Sequence, residues 1–260
     1  GSEMCIRDSS YQAVKLSGGA DSQQVNFAYA LYEIALEKGR DFVRDWQHCW
    51  ERDYPGSKIV KYVCAALDSR ADLPFAEPDY VRCIFDFYAE DFEQSLHQLG
   101  YCVPQKTAAV FAGLPLPGNR ILDLGCGTGW VGKCLMEKRP DWVVDGVDLS
   151  SGMLREAAAK NIYNRLTEDN IQHFLPKLKE VYDGVAAADV LTYFGELETL
   201  FGQVAGALKK EGCFVFSVSK NTLGGEDFRL HLSGRFLHRR EYVEKVLRQS
   251  GFRLLSVSGE

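Results

Sequence analysis

Residues 121–132 read ILDLGCGTGWVG, an apolar run that reaches an acid and then breaks into glycines. Two ligand-binding patterns overlap there. Gly127, Gly129 and Gly132 spell G-x-G-x-x-G, whereas Asp123, Gly125, Gly127 and Gly129 spell an acid followed by G-x-G-x-G. Glycines between a strand and a helix admit backbone angles closed to other residues and let a ligand approach the main chain. A second acid, Asp148, closes the strand in VVDGVDLSSGML. It lies about 20 residues after the glycines, where a carboxylate can accept hydrogen bonds from both hydroxyls of a ribose. Ser150 and Ser151 already suit the cap of the helix that follows, so Asp148 is not needed for capping.

Charge separates the two patterns. A dinucleotide seats its pyrophosphate at a helix N-terminus, where free N–H groups favour an anion, and Asp123 would crowd that anion. S-adenosyl-L-methionine has no phosphate. It brings an ammonium, a sulfonium and a carboxylate, so an acid before the glycines is an asset, and the outer pattern is favoured. An NAD(P)-dependent oxidoreductase using GTGWVG is the enzymatic alternative, and a cofactor-binding scaffold without turnover is the non-enzymatic one.

Further side chains could act beside such a turn. Tyr88 could cover a cationic cofactor, with ring–cation attraction worth about 0.5–2 kcal/mol, or pack with Phe85, Phe87 and Phe92. Tyr193 follows a predicted strand at the ligand-binding edge. Arg235 could fix a carboxylate or phosphate. His238 could serve as a base, or cap a helix. His48, His97 and His173 fall in helical patterns and read as structural or exposed. The five histidines show no H-x-x-x-H pair, and no G-x-S-x-G elbow occurs, so neither metal nor hydrolase chemistry is indicated.

The elements that must position these residues follow from periodicity. From Ser22 to Leu67 apolar residues recur at helical spacing, interrupted at Gly39 and at Pro55-Gly56. Residues 10–67 are therefore expected as a small helical appendage loosely like one tetratricopeptide unit, available to pack or to dock a protein partner. Residues 68–78, DSRADLPFAEP, read as a linker. Residues 79–101 then form an aromatic-rich amphipathic helix pair. Strands are predicted at Arg120–Leu124, Trp142–Val147, Gly184–Ala188, Cys213–Val218 and Phe252–Val257. Helices are predicted at Trp130–Glu137, Gly152–Lys160, Leu197–Leu208 and Arg239–Gln249. This alternation gives an α/β fold, a doubly wound, mostly parallel sheet whose ligands bind at the carboxyl ends of its strands.

Composition fits that reading. The 260 residues are 46% apolar and 25% charged, with a formal net charge of −6 that argues against a nucleic-acid surface. Lys209-Lys210 and Arg239-Arg240 read as solvated helix faces, and no apolar run approaches the roughly 18 residues of a membrane helix. Eight cysteines without a C-x-x-C pair imply reduced thiols, hence a cytoplasmic location. The opening GSEMCIRDS reads as translated sequencing adapter or a cloning scar, and residues 1–9 are set aside from functional reasoning.

ILDLGCGTG, VDGVDLSSGML, YDGVAAADVLTYFGEL and LKKEGCFVFSVSK resemble the successive motifs of class I S-adenosylmethionine-dependent methyltransferases. The resemblance covers residues 79–260. FDFYAEDFEQSL and SGRFLH are similar to segments of bacterial members with a tetratricopeptide-like N-terminal region. It implies that Asp123 and the backbone of Gly125 hold the methionine moiety and that Asp148 binds the ribose. Leu149 and Met153 would pack near the adenine, and Asn170 would stand where an acid often faces the adenine amino group. Cys126, Gly127, Gly129 and Ile171 would complete the cofactor site, with Ala188 and Asp189 bordering the methyl-transfer zone. Tyr193, Arg235 and His238 would lie on the substrate side, the acceptor being a small molecule or a protein side chain. The resemblance further implies that the sheet lacks its last strand, because FRLLSVSGE stands where a closing hairpin would begin.

Overall fold

The computed structural model describes residues 2–70, 73–222 and 225–259. Four helices lead: α1 (Ser2–Leu16), α2 (Asp21–Lys38), α3 (Arg44–Asp53) and α4 (Lys58–Leu67). Gly39, at φ +94°, ends α2, and the Ser57 hydroxyl caps α4 by accepting from the Val60 N–H at 3.3 Å. Phe27, Leu31, Trp50, Ile59 and Val63 bury their side chains between these helices. Their core does not close on itself. Tyr80 and Ile84 join it, as do Leu230 and Phe236 from much later in the chain.

Three helices then approach the sheet: α5 (Pro78–Tyr88), α6 (Phe92–Gln98) and α7 (Val103–Ala112). The stretch read as a linker is stitched down on its way to α5. Ala76 N–H donates to Tyr193 O at 2.7 Å, and Gly195 and Glu196 N–H donate to Pro74 O at 2.8 and 2.9 Å.

The sheet contains β1 (Arg120–Leu124), β2 (Val143–Asp148), β3 (Arg165–Glu168), β4 (Tyr182–Ala187) and β5 (Leu208–Phe216), in the order β3-β2-β1-β4-β5. Every neighbouring pair is parallel. Side chains alternate between two buried faces, as a parallel sheet covered on both sides requires. Ile121 and Ala186 meet α7 and α8 (Trp130–Lys138). Leu122, Leu124, Val185 and Ala187 face the opposite way, toward α11 (Glu198–Ala207) and α12 (Arg240–Gln249). Between β2 and β4 run α9 (Ser151–Ala159) and the short α10 (Ile171–Phe174). Strand order reverses between β1 and β4, so their carboxyl ends open a crevice there.

Three differences from expectation bear on the site. β3 is a short edge strand with no apolar run to announce it. A two-stranded antiparallel hairpin, β6 (Phe228–Leu230) with β7 (Phe236–His238), occupies what reads as loop. Residues 252–257, expected as a strand, form none. After Gly251, at φ +83°, only Phe252 packs back, on Phe214, while Leu254, Leu255 and Val257 are exposed. Without a neighbour, their backbone has no ladder to join. Among the described residues no helix is long and apolar enough to cross a membrane.

Candidate functional site at the switch in strand order

The turn after β1 is built by its glycines and by two carboxylates. Gly125 adopts φ +62°, and a Cβ there would collide with the Val190 side chain beyond β4. Gly127, at φ +54°, has open space where its Cβ would be. Asp148 holds the turn from β2: its Oδ2 accepts from Gly127 N–H at 2.8 Å and its Oδ1 from Ser150 N–H at 2.9 Å. Ser150 caps α9, its Oγ accepting from Met153 N–H at 3.0 Å. Asp86, on α5, accepts from both Ser150 Oγ and Gly152 N–H, tying the helices before the sheet to the start of α9.

Asp123 lies beneath the turn rather than in the crevice. Its Oδ2 accepts from Tyr163 Oη at 2.7 Å, while its buried Oδ1 has no hydrogen-bond partner among the described residues. Burial pushes the Asp123 carboxyl up to about 7; the Tyr163 hydrogen bond opposes this, and the charge of Asp148 adds to it. Burial also raises the pKa of Asp148, against the N–H groups that hold it. Tyr163 explains the inner glycine pattern. Side chains at Gly129, Gly132 or Gly146 would each run into its ring. Gly132 is therefore small for packing, not for a pyrophosphate.

A cavity of about 330 Å³ opens from this turn toward β4 and the hairpin. Gly125, Cys126, Gly127, Asp148, Leu149, Asn170, Ile171 and Ala188 line one side; Tyr193 and Arg235 line the other. Asn170 Oδ1 is already engaged, capping α10 by accepting from Gln172 N–H at 2.9 Å. Aromatic rings roof the space. Phe85 stands edge-on to Phe92 and to Tyr193, at 5.9 and 5.7 Å between centroids.

The polar cluster at the end of β4 centres on Asp189, whose φ of +56° is unusual for a residue with a side chain. Its Oδ2 accepts from Tyr101 Oη at 2.7 Å and its Oδ1 from Ser217 Oγ at 2.9 Å. Arg235 reaches this cluster from the turn of the hairpin and lies against the Tyr193 hydroxyl. Tyr193 and Asp189 reinforce the charge of its guanidinium. Tyr101, Ser217, Tyr163 and Asp86 carry no sequence signal of their own; only the fold brings them here.

Five residues expected at the site lie outside the cavity lining. Tyr88 points away, edge-on to Tyr29 and Phe87, so the roof falls to Phe85 and Phe92. Asp123 and Gly129 sit under the turn. Met153 is fully buried in the first turn of α9. His238 is buried in β7, where its Nε2 meets Gly195 O at 3.2 Å and burial lowers its pKa. That imidazole supports the hairpin and does not reach the cavity.

The turn suits a cation better than a pyrophosphate. Cys126, Gly127 and Gly129 N–H already donate to Val147 O, Asp148 and Cys126 O, so these donors are not free for an anion. Two buried carboxylates stand behind them, one with an unpartnered oxygen. S-adenosyl-L-methionine fits this donor set: Asp148 would hold the ribose, and the open backbone at Gly127 would lie along the ligand.

Comparison with known proteins agrees. Residues 121–212 match the family described as a methyltransferase domain. The chain is similar to the malonyl-[acyl-carrier protein] O-methyltransferase of Priestia megaterium, 32% identical over 142 residues, covering 53% of this chain and 47% of that protein. It is also similar to human methyltransferase-like protein 27, 34% identical over 113 residues, covering 42% and 45%. The chain thus spans about half the length of the curated relatives it matches.

Two solved structures share the fold. One is a Leishmania major SAM-dependent methyltransferase, with TM-score 0.50, 20% identity and coverage of 62% and 65%. The other belongs to the complex of the Haloferax volcanii Trm112 methyltransferase activator with its methyltransferase, with TM-score 0.53, 20% identity and coverage of 64% and 75%. Residues 121–212 thus carry the sequence pattern of a methyltransferase domain, set in the Rossmann-like fold that these two structures share.

Proposed function

We propose that this chain transfers the methyl group of S-adenosyl-L-methionine to a small molecule bound in the aromatic cavity, rather than to a protein side chain. One observation carries the reading: the glycine turn and the cluster Asp189–Tyr193–Arg235 line the same roofed cavity. A peptide needs an open groove, whereas rings from Phe85, Phe92 and Tyr193 suit an apolar or planar acceptor. The bound cofactor supplies a methyl group already activated by its sulfonium. The chain's own task is placement. Asp148 fixes the turn, Leu149 and Ile171 provide apolar walls, and the aromatic roof keeps water out. The helical region 10–67 serves the domain 79–260 in this reading as a wall of the acceptor site, because its core continues into the hairpin that carries Arg235.

Calorimetric titration with S-adenosyl-L-methionine and with NAD(H) tests the cofactor. Micromolar binding of the first and none of the second is expected, and the reverse would overturn the proposal. S-adenosylhomocysteine release with small acids, phenols and amines, set against peptide libraries, tests the acceptor class. Turnover confined to peptides would remove the small-molecule reading. Cofactor binding without turnover on any acceptor would leave a scaffold.

A further inference from the structure

Resting on that reading of the cavity, we propose that the acceptor is a carboxylic acid with an apolar body. Its carboxylate is seated on Arg235 and methylated on oxygen. Arg235 is the one cationic side chain among the residues lining the cavity. Among the described residues no carboxylate comes within ion-pair distance of it; the neutral Tyr193 hydroxyl lies against it, and Asp189, both of whose oxygens accept from hydroxyls, supports its charge from farther off. The cost of a guanidinium in a mostly aromatic wall, with a carboxylate nearby but none in ion-pair contact, is only partly compensated. Its planar fork of donors matches a carboxylate, which would relieve that cost.

The guanidinium is also held for the task. Tyr62 Oη donates to Gly234 O at 2.7 Å in a buried hydrogen bond. Gly234, at φ +69°, packs so closely on the Tyr80 and Tyr32 hydroxyls that a Cβ would lie 2.8 and 3.1 Å from them. The turn that bears Arg235 is therefore pinned by α2, α4 and α5. Preorganised charge of this kind marks a binding residue more than a solvated surface arginine.

The remaining polar groups specify a nucleophile that arrives without a proton to lose. Both oxygens of Asp189 accept from hydroxyls, and both oxygens of Asp148 accept from backbone N–H groups. Burial keeps Tyr193 and Cys126 protonated, and His238 is turned to Gly195. A carboxylate needs no base. One of its oxygens forms the new O–C bond as the C–S bond breaks, and the electron pair of that bond goes to sulfur. The products are a methyl ester and neutral S-adenosylhomocysteine, and no proton moves. With one oxygen on Arg235, the other is free to attack.

The test uses the full chain saturated with S-adenosylhomocysteine and two matched pairs, octanoate with octanamide and 4-phenylbutyrate with 4-phenylbutanamide. Each acid is expected to bind at least tenfold tighter than its amide. Arg235→Met should abolish that preference while leaving amide binding and cofactor affinity unchanged, and Arg235→Lys should restore part of it. Equal binding of acid and amide, or an unaffected acid preference in Arg235→Met, overturns the proposal. With S-adenosyl-L-methionine present, the bound acids should give a product that releases methanol in base. A base-stable methyl product, or no product from any bound acid, overturns methylation on oxygen. A separate titration with S-adenosyl-L-methionine distinguishes the two levels. If it binds while acid and amide remain equal, only the carboxylate fails; if it does not bind, the methyl-transfer reading fails.

Discussion

The glycine turn after β1 and the hairpin β6–β7 face one cavity from opposite sides and are built in opposite ways. The turn is local. Asp123, Gly125, Gly127 and Asp148 come from the ends of two paired strands, and their spacing already encodes the geometry. The hairpin is placed by distant parts of the chain: Tyr62 holds Gly234 across 172 residues, and Leu230 and Phe236 bury themselves in the core of the leading helices. The side proposed to hold the cofactor is a motif, whereas the side proposed to meet the acceptor is a property of tertiary packing. The same cofactor turn can thus serve many acceptors, since the acceptor wall is specified elsewhere in the sequence.

The largest effect should come from breaking the local half. Gly125→Val forces a branched side chain to φ +62° and into Val190. It is expected to cost at least about 2 kcal/mol of stability and roughly 100-fold in cofactor affinity, read by denaturant melts and calorimetry. Retained affinity would mean that the backbone of the turn does not set the ligand. Asp148→Ala comes next. Loss of the proposed ribose contact should weaken S-adenosyl-L-methionine by at least about tenfold. Because Asp148 also holds Gly127 and Ser150, the same change should cost about 1–3 kcal/mol of stability. Unchanged affinity in a destabilised variant would make Asp148 purely a brace for the turn.

What could be read from the chain divides along the same line. β1 begins and ends where its apolar run predicts, and α12 starts within one residue of expectation, since period and punctuation are local. Asp148, Leu149 and Ile171 reach the cavity for the same reason. Asp123 was legible as an acid before glycines, but which side of the turn its carboxylate takes depends on Tyr163, whose position rests on three glycines spread over two elements. β3, with two half-buried residues between two exposed ones, and the three-residue strands of the hairpin are too short to show a period. Hence Arg235 could be proposed for an anion from its type alone, whereas His238, three residues on, turned out to face the core.

Asp123 gives a smaller, pH-dependent effect. Its folded-state pKa of about 7 lies above the ordinary 3.8, so the folded chain keeps a proton that the unfolded chain releases. Stability from this group is full below the unfolded value and lost as pH rises through the folded one. Between about pH 5 and pH 8 the cofactor-free protein should lose on the order of 2 kcal/mol from this source. Asp123→Asn should remove that component. The difference in denaturation midpoint between wild type and variant should therefore grow with pH in the variant's favour. A pH-independent difference would show that Asp123 is ionised throughout, stabilised by Tyr163 more strongly than burial opposes it.

The smallest effect probes whether the two halves are independent. Tyr62→Phe removes only the hydroxyl that donates to Gly234 O, some distance along the wall from the glycine turn. The net loss should be about 1 kcal/mol of stability. Because the Tyr62 hydroxyl bonds to Gly234 and the turn is held by Asp148, S-adenosyl-L-methionine affinity should not change. Acceptor-side behaviour should: the turn bearing Arg235 loses its anchor, and the preference for carboxylates over amides should shrink even though the arginine remains. If cofactor affinity falls together with that preference, the leading helices and the sheet transmit strain as one body, and the division between a local cofactor site and a distributed acceptor site fails. If neither changes, packing of Tyr32 and Tyr80 on Gly234 is enough to hold the turn. The anchor would then be steric, residing in rings pressed against a glycine, with the hydrogen bond merely satisfying a buried carbonyl.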